Sequence, residues 1–241
     1  MAKKTKEQEV SENIMSNILL KNNKIDPRIC EDQKVCQIEF KSGEFEIPDR
    51  PWSRDKIGDR SIPRIVLVLE SPHVKEFECT PPQPASGRTG DKIQSLLSDK
   101  LIGLGLTFTD GLYDLILVNA IQLQCSMGVP TKYFRDIAFI GLWFEGFDRN
   151  FIDRVNRLNL TNEDFVINCC TKKDTSQFKG LFGRRFSEKA VKEILDNNSI
   201  SYRAKNGLRS LVGIAINEIT SSIDEKDRFK LASLDHPSSW K

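Results

Sequence analysis

The chain has 241 residues, 39% of them hydrophobic and 29% charged, with a formal net charge of +2. That is enough chain for a sizeable core, and the proportions are those of an ordinary globular protein rather than a low-complexity or repeat chain. No apolar run reaches the length of a membrane span, and a balance so near neutrality says nothing by itself about nucleic acid.

The opening stretch, MAKKTKEQEV, carries basic residues without an apolar core, so a secretory signal is not expected. The six cysteines are irregularly spaced and form neither a disulfide framework nor a CxxC pair. They read as reduced, mostly buried thiols of a cytoplasmic protein. Ile14, Ile18, Leu19 and Leu20 predict one amphipathic helix within residues 1–24. KVCQIEFKSGEFEI (34–47) alternates around a Ser-Gly pair and predicts a β-hairpin, followed by a Pro-rich connector. Residues 1–60 are thus expected to form an extension packed on a main domain of residues 61–241.

RIVLVLE (64–70), DLILVNA (114–120) and DFVINCC (164–170) are apolar runs that fit strands buried on both faces, and RFKLASL (228–234) is a weaker fourth. Between them lie GDKIQSLLSDKL, the long stretch KYFRDIAFIGLWFEGFDRNFIDRVNRL, FSEKAVKEILDNN and LRSLVGIAINEITSSI, all long enough for crossover helices. Strands alternating with helices predict an α/β three-layer sandwich around a mainly parallel four-stranded sheet. Ligands of such sheets sit beyond the carboxyl ends of the strands. The residues following the four strands are ESPHVKEFE, NAIQLQ, TKKD and DHPSSW. Both histidines, an asparagine and several carboxylates therefore converge on one edge. Within 171–209, Lys and Arg outnumber Asp and Glu, notably Lys172, Lys173, Arg184 and Arg185, a composition that suits phosphates or a solvated face.

Three of these segments resemble the signature motifs of the uracil-DNA glycosylase superfamily: VLVLESPHVKE, LILVNA and DHPSSW. A fourth, SGRTGDKIQSLL (86–97), is similar to the Gly-Arg-x-Gly segment of the iron–sulfur branch of that superfamily, with Gly87, Arg88, Thr89 and Gly90 leading into a helix N-terminus. The resemblance covers roughly residues 63–128 and 228–240. It implies a monofunctional enzyme that flips a base out of DNA and hydrolyses its N-glycosidic bond. It also implies a base pocket built from Ser71, Pro72, His73 and Ala85.

By the same resemblance Asn119 reads the base edge and His236 stabilises charge on the leaving base. Ser238 and Ser239 touch the DNA backbone, and Trp240 wedges into the vacated space or packs on the protein's own surface. The family's water-holding Asp corresponds to Ser71, which leaves Glu70 as an anchor and Glu76 as a possible base, or else as a turn cap. Ala85 stands where that branch has a stacking phenylalanine. An enlarged pocket is therefore expected, for a bulky modified pyrimidine such as a hydroxymethylated or glucosylated base of viral DNA. That is the substrate of antiviral defence glycosylases, with plain uracil repair as the alternative.

No cofactor is expected: an iron–sulfur site needs four thiolates with a close pair, and Cys30 and Cys36 have five residues between them. DNA is the expected partner of a monomer that meets no membrane. Two rivals stand beside this reading. One is a metal-dependent hydrolase using Glu70, His73, Glu76 and His236; the other is a non-catalytic DNA-binding module on the same fold.

Overall fold

A computed structural model describes residues 28–125, 139, 142–172 and 207–241. The amphipathic helix expected within residues 1–24 and the segment FSEKAVKEILDNN lie outside the described residues. The strands are β1 (Gln33–Lys41), β2 (Glu44–Glu46), β3 (Arg64–Leu69), β4 (Gly111–Asn119), β5 (Phe165–Asn168) and β6 (Lys230–Ser233). Among the described residues there are three α-helices: α1 (Arg88–Ile102), α2 (Asp148–Asn156) and α3 (Leu208–Ser221). None of the helices among the described residues is long and apolar enough to cross a membrane.

The sheet order is β2-β1-β4-β3-β5-β6. The pairs β4–β3, β3–β5 and β5–β6 are parallel, whereas β1 is antiparallel to both β2 and β4. The sheet is therefore mixed and six-stranded, not the four-stranded sheet expected. The difference comes from the hairpin, whose first strand pairs along β4 from Gln33↔Leu117 to Phe40↔Gly111. Its turn, Ser42-Gly43, has φ of 54° and 91°, the left-handed pair that matches strand twist in a two-residue hairpin loop.

The fully buried strands β3 and β4 alternate between two cores. Ile65, Leu67 and Leu69, with Leu115 and Leu117, pack on Ile93, Leu97 and Leu101 of α1. Val66 and Val68, with Ile116 and Val118, pack on Phe151 and Val155 of α2 and on Leu211, Val212 and Ile216 of α3. Each such side chain contributes about 1.5–3 kcal/mol. Helices on both faces seal the flanks and leave the strand ends as the place where irregular, chemistry-bearing chain accumulates.

Candidate functional site

Because β4, β3, β5 and β6 are parallel neighbours, Asn119, the Glu70–His73 turn, Cys169–Thr171 and the Asp235–His236 loop line up along one edge. They do not share one face. Asn119 pairs in register with Leu69, so its side chain lies on the α1 side, while the pleat carries Glu70 to the α2/α3 side. Glu70 is 1% exposed, and its carboxylate accepts a hydrogen bond from the Thr171 N–H. Glu70 is thereby tied to the end of β5.

Asn119 is 1% exposed. Its Nδ2 faces Cys30 Sγ at 3.8 Å, and among the described residues its Oδ1 has no hydrogen-bond partner. The backbone beneath it is held from the helix layer. Arg154 of α2 donates to the carbonyls of Asn119 (2.9 Å) and Ala120 (3.1 Å) and pairs with Asp32. Cys30 is fully buried and anchored by its N–H on the Gln122 carbonyl at 3.0 Å. Burial first, then the charges of Glu76 and Asp32, push its thiol pKa up. Ser71, two residues beyond Leu69, has a buried hydroxyl that also lacks a partner among the described residues.

Glu76 sits at the centre of the turn that follows β3. Its two oxygens accept from the N–H groups of His73 (2.8 Å) and Ala85, closing a capping box on the one-turn helix Val74–Phe77. Burial pushes its carboxyl up to about 7, against the opposing pull of those amides and of Arg54. Glu76 thus takes one amide on each oxygen and caps the turn, one of the two roles expected for it.

Three arginines from the segment before β3 hold the carbonyls of this same turn. Arg28 donates to Phe77 and Cys79, Arg54 to Pro84 (2.6 Å) and Ala85 (3.5 Å), and Arg50 to Ser86 (2.7 Å) and Gly87 (3.4 Å). Arg50 and Arg54 lie over the Trp52 ring, 5.4 and 5.7 Å from its centroid. Beside them a cleft of about 390 Å³ is lined by residues that include Lys34, Cys36, Trp52 and Asp55.

The remaining pocket residues are dispersed by this packing. Ala85 is fully buried with φ of 53°, so its small side chain belongs to the α1-side core and opens no extra room for a base. Pro72 is buried and His73 exposed; the ring of His73 accepts from the Lys75 N–H at 3.3 Å, and partial burial, then Lys75, lower its pKa. Gly90, expected at DNA, is buried: a Cβ there would meet the Ala85 carbonyl oxygen at 2.0 Å. It lets α1 dock on the turn, whereas Arg88 is exposed and Gly87 and Thr89 are half-buried. Lys172 is exposed; Lys173, Arg184 and Arg185 lie outside the described residues.

At the end of the chain, Trp240 is 4% exposed within the α1-side core, and its indole N–H donates to the Asp235 carbonyl at 2.7 Å. The wedge role is corrected: an indole packed in the core is not presented to DNA, and it is what ties the tail down. The loop it anchors exposes Ser238 and Ser239 and holds His236 half-buried. Nδ1 of His236 lies 2.8 Å from the Ser238 hydroxyl and 3.3 Å from the Ser238 N–H, so the ring meets its own loop through Nδ1. Arg209 of α3 bridges Asp235 (2.9 Å) to the Cys170 carbonyl (2.8 Å), joining this loop to the end of β5.

Among the described residues, no group of three or more His, Cys, Asp or Glu side chains is arranged to hold a metal ion. Comparison with known protein families, curated proteins and solved structures returns no match. Sequence reasoning missed Cys30, Arg54 and Arg154. Cys30 precedes β1, Arg54 lies in the connector before β3 and Arg154 within α2, positions that give no clue to partners such as those 89 or 35 residues away.

Proposed function

We propose that the chain is a monofunctional DNA N-glycosylase that extrudes a modified pyrimidine, holds its edge on Asn119 and leaves an abasic site. The observation that carries this reading is the Asn119 carboxamide oxygen, buried without a partner among the described residues at the carboxyl edge of parallel strands. A buried acceptor left unpaired costs about 1–3 kcal/mol, which a ligand N–H recovers. A nucleobase edge supplies such a donor on a flat, buriable ring. His236, on the loop seated against α1, is the group we assign to donate an imidazole N–H to the negative charge that accumulates on the departing base.

With Glu70 held by the Thr171 amide and Glu76 by those of His73 and Ala85, we assign the lead in the reaction to base departure. Water then forms the new bond to C1′, loses its proton to solvent, and the released base takes one up. The Ser71 hydroxyl is the group we assign to orienting that water. Repair or antiviral defence then follows from which base is released.

The deciding experiment incubates the purified chain with oligonucleotides that each contain one unmodified, deaminated, hydroxymethylated or glucosylated pyrimidine. Released bases are read by mass spectrometry and abasic sites by alkaline strand cleavage. Release of one base class with a matching abasic product is expected; intact DNA throughout sinks the reading. A second reading, a DNA-binding module without catalysis, is favoured by one observation: carboxylate oxygens of both Glu70 and Glu76 are occupied by backbone amides. Binding of the same oligonucleotides with no base released identifies it.

A further inference from the structure

We propose that Cys30 makes this site selective for a pyrimidine bearing an exocyclic amine at position 4, against the matching 4-oxo base, by holding the Asn119 carboxamide with its oxygen presented. This inference rests on the glycosylase reading above. A carboxamide offers a donor and an acceptor, and a freely turning one reads either kind of edge. Here the donor end is turned to Cys30 Sγ at 3.8 Å and the acceptor end is the one without a partner among the described residues.

Several features fix that orientation. Both residues are buried, Cys30 at 0% and Asn119 at 1% exposure, so rotation would have to proceed inside packed surroundings. Both backbones are pinned, Cys30 on Gln122 and Asn119 by its pairing with Leu69 and by Arg154.

An amine at position 4 donates to the presented oxygen. In the pose that sets position 4 on this oxygen, a carbonyl there brings lone pairs against lone pairs, and the N3–H of such a base reaches the oxygen only if the ring slides along its edge. Leaving such a group unpaired in a buried site separates otherwise isosteric bases strongly.

The test compares two oligonucleotides that differ only at position 4, one carrying 5-hydroxymethylcytosine and the other 5-hydroxymethyluracil, with the full chain and single-turnover kinetics. The expected result is at least about 10-fold faster release of the amino base. Equal or faster release of the oxo base overturns the selectivity while leaving the glycosylase reading intact; no release from these or any other base in the panel overturns both. Cys30→Ala, which frees the carboxamide to turn, is expected to bring the pair to within about 3-fold of one another. Cys30→Ser, which keeps a polar partner in the same place, is expected to preserve the preference. An unchanged ratio in Cys30→Ala removes Cys30 from the mechanism. Should that variant not fold, loss of the preference in Cys30→Ser overturns the account in which a polar partner at this position holds the carboxamide.

Discussion

Two buried side chains, Asn119 and Glu76, carry opposite messages about the same edge of the sheet. Asn119 has an acceptor to spare among the described residues, and Asn119→Ala is expected to lower base excision by about 10²-fold while changing the melting temperature little, because its backbone pairing survives. Glu70→Gln keeps an oxygen for the Thr171 N–H, and we expect activity within a few-fold of wild type; a loss as large as that of Asn119→Ala would give Glu70 a part in the chemistry. Glu76 has nothing to spare, and its message is about stability. Its carboxyl rises from an ordinary 4.5 to about 7 in the folded chain, so the folded state binds the proton more tightly than the unfolded state. The stability linked to that proton is fully present below about pH 4.5 and is lost as pH climbs through about 7, on the order of 3 kcal/mol. Urea unfolding at pH 5 and pH 8 should show the wild type weaker at the higher pH. Glu76→Ala, which strands the amides of His73 and Ala85, should be weaker than wild type at pH 5 and flatter across the interval. A wild-type profile that does not fall across that interval removes Glu76 as the buried titrating group.

The turn between β3 and α1 is where motif and structure diverge. SGRTG is legible as a helix start, and α1 does begin at Arg88, but its second glycine serves packing rather than phosphate. A methyl group on Gly90 would have to displace the Ala85 carbonyl and the Arg50 guanidinium, whereas one on Gly87 meets only flexible atoms of Lys75 at 3.7 Å. Gly90→Ala is accordingly expected to cost about 2–4 kcal/mol and Gly87→Ala less than about 1, measured by thermal unfolding. Equal, small effects of the two would mean that the helix does not seat on the turn as described. The strand ends themselves were readable, because apolar β-branched runs such as RIVLVL announce burial on both faces. Which face each terminal side chain takes was not readable. That depends on the register Leu69↔Asn119, a pairing between strands that no local pattern encodes.

At the scale of the whole molecule, the same limit explains the hairpin. Its alternation and Ser-Gly turn were visible in the sequence; its partner was not, since KVCQIEF alternates equally well on any edge that accepts it. In the folded chain β1 covers β4, and Val35, Ile38, Phe45 and Trp52 join the core that holds α1. The same segment supplies Cys30 to the Asn119 carboxamide, Asp32 to Arg154, and Arg28, Arg50 and Arg54 to the turn carbonyls. A fragment of residues 61–241 would thus lose one wall of a core and leave the β1-facing edge of β4 unpaired, an exposed edge that invites aggregation. We expect that fragment to be insoluble or to lack a cooperative unfolding transition, and co-expression with residues 1–60 to restore a soluble complex. Circular dichroism melts of the fragment alone provide the check. A sharp transition near that of the full chain would make the hairpin an accessory, and the site would then have to be rebuilt without Cys30 or the three arginines.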